Sequence, residues 1–82
     1  MKKHTVYILK CKGGTFYTGY TIDLKKRIKI HNAGKGAKYT RSHLPVKLVY
    51  QESFKTIRKA YQREVDIKKL TRKAKKELIK NQ

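Results

Sequence analysis

The chain has 82 residues, and its 23 lysines and arginines outnumber its 5 acidic residues to give a formal net charge of +18 at pH 7. This length predicts one domain, residues 1–82, with a modest core, and the lone Cys11 excludes a disulfide framework or a cysteine metal cluster. Because no apolar run approaches the ~18 residues of a membrane span, we expect a cytoplasmic protein whose charge favours nucleic acid, and not a membrane, as its partner.

The first part of the chain predicts a β-hairpin. Residues 5–9, TVYIL, are rich in β-branched and aromatic side chains, which favour a strand. Gly13 and Gly14 supply a reversal, and residues 15–21 return as the second strand. Gly19 inside that strand is typical of a bulge or of a place where another group approaches the backbone closely.

The stretch LKKRIKIH, residues 24–31, predicts a helix with an unusual inner face. At roughly 100° per residue, Leu24, Arg27, Ile28 and His31 fall within about a third of the helix circumference. Leucine and isoleucine must face the core, so the arginine and the histidine are carried inward with them. We therefore expect this helix to form one wall of a polar site.

The middle of the chain predicts a binding loop and a third strand. Residues 34–45, GKGAKYTRSHLP, are polar, basic and punctuated by glycine, which is typical of a functional loop in so small a domain. Residues 46–50, VKLVY, predict a strand with Val46, Leu48 and Tyr50 on one face.

The C-terminal part predicts two helices, residues 56–70 and a weaker one at 71–79. The apolar stripe of the first is expected to contain Ile57, Ala60, Tyr61, Val65 and Ile67. Glu64 lies near the middle of that face. The resulting order ββαβαα predicts an α+β fold, a small three-stranded antiparallel sheet flanked by helices.

Five side chains on these elements point to phosphate chemistry. A buried carboxylate such as Glu64 is normally neutralised, paired or bound to metal, and one carboxylate with substrate phosphate is enough to hold Mg²⁺. Arg27 would stabilise charge that develops on a phosphate, and His31, Tyr7 or Tyr17 would orient or deprotonate water.

Structural roles for the same residues remain open at this point. Strand tyrosines are most often packing residues, and His31 could simply cap the end of its helix. Glu64 could form a buried salt bridge with Arg27 or Lys68. The functional interpretation depends on all of these groups converging in a domain that is charged to hold phosphate.

The segments VYIL, YTG, DLKKRIKIH and YQRE, with a basic loop before the last, resemble the GIY-YIG nuclease domain. The closest likeness is to small bacterial proteins that consist of that domain alone, and it covers residues 5–78. The matched residues are Tyr7 of the first tripeptide, Tyr17 and Gly19 of the second, the helix arginine Arg27, the histidine His31 and the metal-binding glutamate Glu64.

The resemblance implies hydrolysis of a DNA phosphodiester with one divalent metal ion, Mg²⁺ or Mn²⁺. In the family the glutamate binds the metal, the arginine binds the phosphate, and a tyrosine, sometimes assisted by histidine, activates water. The resemblance leaves open which tyrosine is the base, because a free tyrosine has a pKa near ~10 and either would need help.

The sequence departs from the family pattern at three positions. Thr5 replaces the first glycine, Thr18 is the middle residue of the second tripeptide, and Tyr20 stands where some nucleases of the family have a lysine. Lys25 or Lys38 would be the nearby substitutes for that lysine. The catalytic side chains that the resemblance implies are intact.

From these features we expect a metal-dependent endonuclease of low sequence specificity that acts on DNA, in repair or recombination, in the bacterial cytoplasm at the nucleoid. Its expected contacts with nucleic acid are Gly19, Lys25, Lys35, Lys38 and Arg41. One alternative is a non-catalytic DNA- or RNA-binding module that keeps the nuclease fold. Another is a subunit that relies on a partner protein for substrate choice. The sequence leaves the oligomeric state open, with a monomer as the simplest form.

Overall fold

The computed structural model describes residues 3–81. The elements are β1 (His4–Lys10), β2 (Phe16–Thr21), α1 (Leu24–Asn32), α2 (Lys38–Arg41), β3 (Lys47–Phe54), α3 (Ile57–Lys68) and α4 (Arg72–Lys80). The predicted α+β class with a three-stranded sheet is confirmed. The order is ββααβαα, because the predicted loop contains the four-residue helix α2. Within the described residues no helix is both long and apolar enough to cross a bilayer.

The sheet has the order β2-β1-β3 and is antiparallel throughout. The central strand β1 is buried on both faces, and its side chains alternate between them. Val6 and Ile8 join the cluster that contains Ala60 and Ile67 of α3. Tyr7 lies on the opposite face, in the cluster against which α1 packs. The fold therefore has two thin cores, one on each side of β1.

Strand β3 contains a bulge that divides its apolar residues between these two cores. Leu48 pairs with Leu9, whereas Tyr50 pairs with Ile8, so Val49 is an extra residue in the register. Leu48 consequently packs on the α1 side and Tyr50 on the α3 side. The expectation that Val46, Leu48 and Tyr50 share one face is wrong for Tyr50, because strict alternation does not survive the insertion.

Helix α3 presents a different face to the sheet from the one that its apolar residues suggest. Ala60 and Ile67 are fully buried, whereas Ile57, Tyr61 and Val65 are 45%, 48% and 45% exposed. Alanine has almost no side chain, so its burial lets the helix approach β1 closely, and the larger apolar residues are left at the flank. The predicted stripe is therefore wrong at those three positions, while Glu64 keeps the largely buried place predicted for it.

Candidate active site

Three side chains from separate elements form a buried hydrogen-bonded chain. The hydroxyl of Tyr7 on β1 lies 3.0 Å from Nε2 of His31 on α1. Nδ1 of the same ring lies 2.9 Å from the hydroxyl of Thr40 on α2. Each of these three residues is less than 2% exposed. These groups are thus almost entirely removed from bulk solvent, and most of their polar atoms must be satisfied internally.

The hydrogen bonds of Thr40 determine which nitrogen of His31 carries the proton. The Thr40 hydroxyl donates its single proton to the carbonyl oxygen of Ala37 at 2.9 Å. It can therefore only accept from His31, so Nδ1 bears the proton. Burial, and next the charge of Arg27, lower the pKa of His31 below its usual value, so the ring is neutral at pH 7. Its Nε2 is then free to accept the Tyr7 hydroxyl proton.

The phenol of Tyr7 is also the point at which the other candidate residues act. Burial raises its pKa above the usual value, and a hydrogen bond from Arg27 opposes that rise. Tyr17 and Glu64 add smaller increases through their charged forms. These groups come from α1, β2 and α3. The structure thus brings Tyr7 and Tyr17 against His31, while Arg27 and Glu64 are near enough for their charges to act on the Tyr7 phenol.

Gly19 makes room for the two tyrosines. It is the direct cross-strand partner of Tyr7, and a Cβ atom at this position would collide with the Tyr7 hydroxyl oxygen and lie 3.1 Å from Cε2 of Tyr17. The close approach predicted from a glycine inside a strand is therefore the approach of Tyr7 and Tyr17. Its predicted contact with nucleic acid stays a prediction.

The two tyrosines differ in their access to solvent. The Tyr17 ring packs edge-on against His31, with centroids 5.4 Å apart, and Tyr7 does so at 6.0 Å. Tyr17 is half-buried, whereas Tyr7 is 1% exposed. A bound molecule would therefore meet Tyr17 first, while Tyr7 is the tyrosine with a direct bond to a proton acceptor.

The segment between α1 and β3, which contains α2, is tied to the rest of the chain by three hydrogen bonds and one close contact. The side-chain amide of Asn32 pairs with the backbone of Val46, at 2.9 Å and 3.2 Å. The backbone of His43 accepts from Lys12 at 2.9 Å. Gly36 lies against the ring of His31, where a Cβ atom would collide with Nδ1. Thr40 and Gly36 are site residues that the sequence did not reveal, since a loop has no periodicity from which their direction could be inferred.

Glu64 is the candidate metal ligand, and in this structure it is paired with Lys68. The Lys68 ammonium lies 3.3 Å from a Glu64 carboxylate oxygen, and the Glu64 side chain is 18% exposed. Within residues 3–81 no cluster of three or more His, Cys, Asp or Glu residues could enclose a metal. A single partly exposed carboxylate fits an ion that keeps several waters and shares a substrate phosphate, as Mg²⁺ does.

The predicted phosphate contacts other than Gly19 lie on exposed surface. Lys25 is at the start of α1, Lys35 follows it, and Lys38 and Arg41 flank Thr40 on α2. All four belong to the segment that covers the His31 side of the sheet. Their position is compatible with phosphate binding, which stays a prediction.

The position occupied by lysine in some members of the family points away from this site. Tyr20 pairs with Val6, so its ring lies on the α3 side of the sheet, 4.8 Å from that of Tyr61. Its hydroxyl lies 2.7 Å from Nδ1 of His4. Here the residue therefore has a packing role at the edge of the second core.

Comparison with known proteins identifies the family of this chain. The family model of the GIY-YIG catalytic domain matches residues 3–77. The chain belongs to the GIY-YIG family. The two tripeptides that define the GIY-YIG pattern correspond to residues 5–7 and 17–19, and the pairing of Tyr7 with Gly19 places them side by side in adjacent strands.

Small bacterial proteins are similar to this GIY-YIG chain over most of their length. UPF0213 protein SSP2268 of Staphylococcus saprophyticus is 54% identical over 79 residues, which are 96% of each chain. UPF0213 protein CPE1444 of Clostridium perfringens is 62% identical and covers 90% of this chain and 80% of its own. The solution structure of UPF0213 protein BH0048 from Bacillus halodurans matches with a TM-score of 0.65 at 46% identity, over 98% of this chain and 85% of that one.

The two departures within the GIY-YIG tripeptides lie outside the hydrogen-bonded chain. The Thr5 hydroxyl is 3.2 Å from that of Ser53, across the β1–β3 pair. Thr18 is opposite Ile8 and so points to the α3 side. Neither threonine hydroxyl is therefore part of the Tyr7–His31–Thr40 chain.

Proposed function

We propose that this GIY-YIG domain is a metal-dependent nuclease that hydrolyses DNA phosphodiester bonds with low sequence specificity. The observation that carries the proposal is the Tyr7–His31–Thr40 chain, in which a buried neutral histidine is ready to accept the proton of a phenol. A phenol bonded in this way can take a proton from water as it gives its own to the histidine. A buried structural tyrosine would also need a hydrogen-bond acceptor, but a backbone carbonyl would suffice, whereas a neutral histidine can also take up the proton.

The proposed reaction is attack of water on the phosphorus of the scissile bond. As the new oxygen–phosphorus bond forms, the water gives a proton to the Tyr7 oxygen, and the Tyr7 proton moves to Nε2 of His31. The bond to Thr40 stabilises the imidazolium that results, and Arg27 stabilises charge on the phosphate oxygens. The bond between phosphorus and the leaving sugar oxygen then breaks, and solvent returns a proton to that oxygen.

Glu64 is the residue proposed to hold a divalent ion, Mg²⁺ or Mn²⁺. Such an ion would supply positive charge to phosphate oxygens when bound. Lys68 contacts one oxygen of the Glu64 carboxylate, which leaves the other oxygen for a metal ion. Lys68 thus keeps the carboxylate compensated when no metal is bound.

Low sequence specificity follows from the kind of contact that the surface offers. Lys25, Lys35, Lys38 and Arg41 are suited to phosphate oxygens, and phosphate contacts position a protein without reading bases. Binding through such contacts weakens as salt rises. The proposal also includes cleavage of repair or recombination intermediates. Comparing the cleavage rates of different DNA forms tests that part.

A nicking assay tests the proposal. Supercoiled plasmid should be cut only with Mg²⁺ or Mn²⁺, and Glu64→Gln or Arg27→Ala should reduce the rate by about a hundredfold or more. Glu77→Gln and Arg58→Ala, which change exposed residues of the same types on α4 and α3, are the matched controls and should cut normally. Duplex, single-stranded, flapped and branched DNA and RNA should then be compared.

The same assay assigns the base. Tyr7→Phe keeps the ring and removes the proton-transferring hydroxyl, so it should cost about a hundredfold or more. Tyr17→Phe should cost less if Tyr17 only positions substrate. A folded Glu64→Gln protein that cuts like the parent would contradict the enzyme proposal.

The second candidate is a nucleic-acid-binding module without catalysis. Two observations favour it, the near-complete burial of Tyr7 and the pairing of Glu64 with Lys68. Tight, salt-dependent binding with no cleavage of any DNA or RNA form, with either metal, would select this candidate.

A further inference from the structure

Helix α2 turns two neighbouring residues in opposite directions. Thr40 is completely buried and bonds to His31, whereas Tyr39 is 40% exposed. The Tyr39 ring stacks on His43 with centroids 4.2 Å apart and only 11° between the ring planes. This nearly parallel, exposed aromatic pair lies on the outer side of the α2 segment. The inner side of the same segment contributes Thr40, which bonds to His31.

One hydrogen bond orients the Tyr39 ring, and a second orients the His43 ring that stacks on it. The Tyr39 hydroxyl donates to the Thr15 hydroxyl at 2.6 Å, which ties Tyr39 to the hairpin turn. Its backbone carbonyl can only accept, so Nδ1 of His43, 2.7 Å away, donates to it and locks the second ring. Because His43 covers one face of the Tyr39 ring, the exposed surface comes from the opposite face and the ring edges. A ligand that stacked on this face would meet aromatic rings whose orientation is already set.

The surroundings of this aromatic face are basic. Lys38 and Arg41 are exposed on either side of Tyr39, and no acidic residue occurs in the sequence between Asp23 and Glu52. A flat aromatic surface within a positively charged segment is suited to a ligand that is itself aromatic and negatively charged. Nucleic acid is the polymer with that chemistry.

We propose that Tyr39, backed by His43, is a stacking platform for an unpaired nucleobase of the bound nucleic acid. The inference rests on the proposed function, in which nucleic acid is the substrate. The base must be unpaired and splayed out, because the faces of bases inside a duplex are covered by their neighbours. The platform therefore gives this site a preference for single strands, flaps or junctions over continuous duplex.

Binding to an inactive protein tests the platform without interference from cleavage. In a Glu64→Gln background, a short single strand carrying one fluorescent purine analogue should be quenched on binding and should bind more tightly than the matched duplex. Tyr39→Leu should weaken single-strand binding by about 5- to 100-fold and abolish the quenching, with little effect on duplex. Tyr39→Phe, which keeps the ring, should stay within about twofold of the background.

Tyr61→Leu is the matched control, because Tyr61 is a comparably exposed tyrosine on α3, and it should leave single-strand binding unchanged. The platform would be wrong if Tyr39→Leu bound single strands as tightly as the background protein. It would also be wrong if Tyr61→Leu weakened single-strand binding as much as Tyr39→Leu does. A lack of fluorescence quenching when the background protein binds the single strand would also overturn the platform, and this test does not depend on a substitution at Tyr39.

The outcomes also separate the platform from the proposed function. If the protein nicks plasmid and binds DNA but Tyr39→Leu changes nothing, the platform alone is wrong. If no form of nucleic acid binds even at low salt, the nucleic-acid function is wrong and the platform falls with it. If Tyr39→Leu weakened binding to a protein partner but not to nucleic acid, the assignment of a nucleobase as the ligand would also be wrong.

Discussion

Both ring nitrogens of His31 are bonded to hydroxyl groups, those of Tyr7 at 3.0 Å and Thr40 at 2.9 Å. Only one arrangement of protons satisfies all the groups, because Thr40 has already given its proton to Ala37. Thr40 therefore acts through His31, as a positioning residue that keeps Nε2 unprotonated. Without it the proton could move to Nε2, and Tyr7 would then face a donor where it needs an acceptor.

Replacing Thr40 tests that role. Thr40→Val keeps the shape but leaves Nδ1 of His31 buried without a partner, which costs about 1–3 kcal/mol of stability, and it should slow DNA cleavage by about tenfold or more. Nitrogen chemical shifts of the His31 ring, measured by NMR, should show the proton leaving Nδ1. Thr40→Ser restores the hydroxyl and should recover both the rate and the shifts. A Thr40→Val protein that keeps the parent's ring shifts would show that another group sets the protonation of His31.

Sequence alone identified some residues of the site and missed others for a definable reason. Arg27 and His31 were expected to point inward because helix periodicity places them beside Leu24 and Ile28, and the structure brings both to Tyr7. Thr40 and Gly36 were missed. Their contacts depend on the path of a loop across the end of α1, and that path is set by tertiary bonds such as those of Asn32 to Val46.

At the scale of elements, α3 shows how a small residue can decide which face of a helix is buried. The line through Ala60, Glu64 and Ile67 faces the sheet, and the larger Ile57, Tyr61 and Val65 flank it. In this orientation the Glu64 side chain is 18% exposed, and its charge acts on the Tyr7 phenol. The prediction from hydrophobicity chose the wrong face of α3. Alanine has low hydrophobicity and so received little weight, although the small side chain of Ala60 allows the helix to approach the sheet closely.

Two alanine substitutions on α3 check this orientation. Ile67→Ala removes a fully buried side chain and should lower the free energy of unfolding by about 2–5 kcal/mol. Val65→Ala changes a residue that is 45% exposed and should cost less than about 1 kcal/mol. Urea unfolding followed by circular dichroism measures both. Similar losses in the two proteins would mean that the apolar flank is buried in solution.

Strand β3 illustrates a second limit of sequence patterns. Its position and antiparallel pairing follow from β-branched and aromatic content, and the α+β prediction is confirmed. The bulge at Val49 could not be predicted, because Leu48, Val49 and Tyr50 are all apolar and are compatible with either register. Tertiary packing against two separate cores decides the outcome.

For the molecule as a whole, repulsion among like charges works against the folded state. The charge of +18 is carried on 82 residues, and the ion pairs found within residues 3–81 are Arg63–Glu52 and Lys68–Glu64. Most of the basic side chains therefore have no acidic neighbour to offset them. Such self-repulsion disfavours the compact state and favours binding to a polyanion.

Salt should therefore change stability and nucleic-acid binding in opposite directions. Raising KCl screens the repulsion, and if about 1 kcal/mol is recovered the thermal midpoint should rise by about 4–8 °C. The affinity for DNA should fall over the same range, linearly on logarithmic axes. Calorimetry and fluorescence titration measure the two. A thermal midpoint that does not move with salt would show that the basic residues are too well spaced to repel one another strongly.

The brevity of α2 has a consequence for how long the site survives as conditions become harsher. This helix has four residues and one buried side chain, Thr40, whereas β1 is buried along most of its length. Segments with so little buried surface open locally at a small free-energy cost, without global unfolding. Each opening takes the Thr40 hydroxyl away from His31 while the sheet stays intact. The proposed activity and the folded fraction are then separate quantities, and moderate warming should reduce that activity reversibly well below the melting temperature.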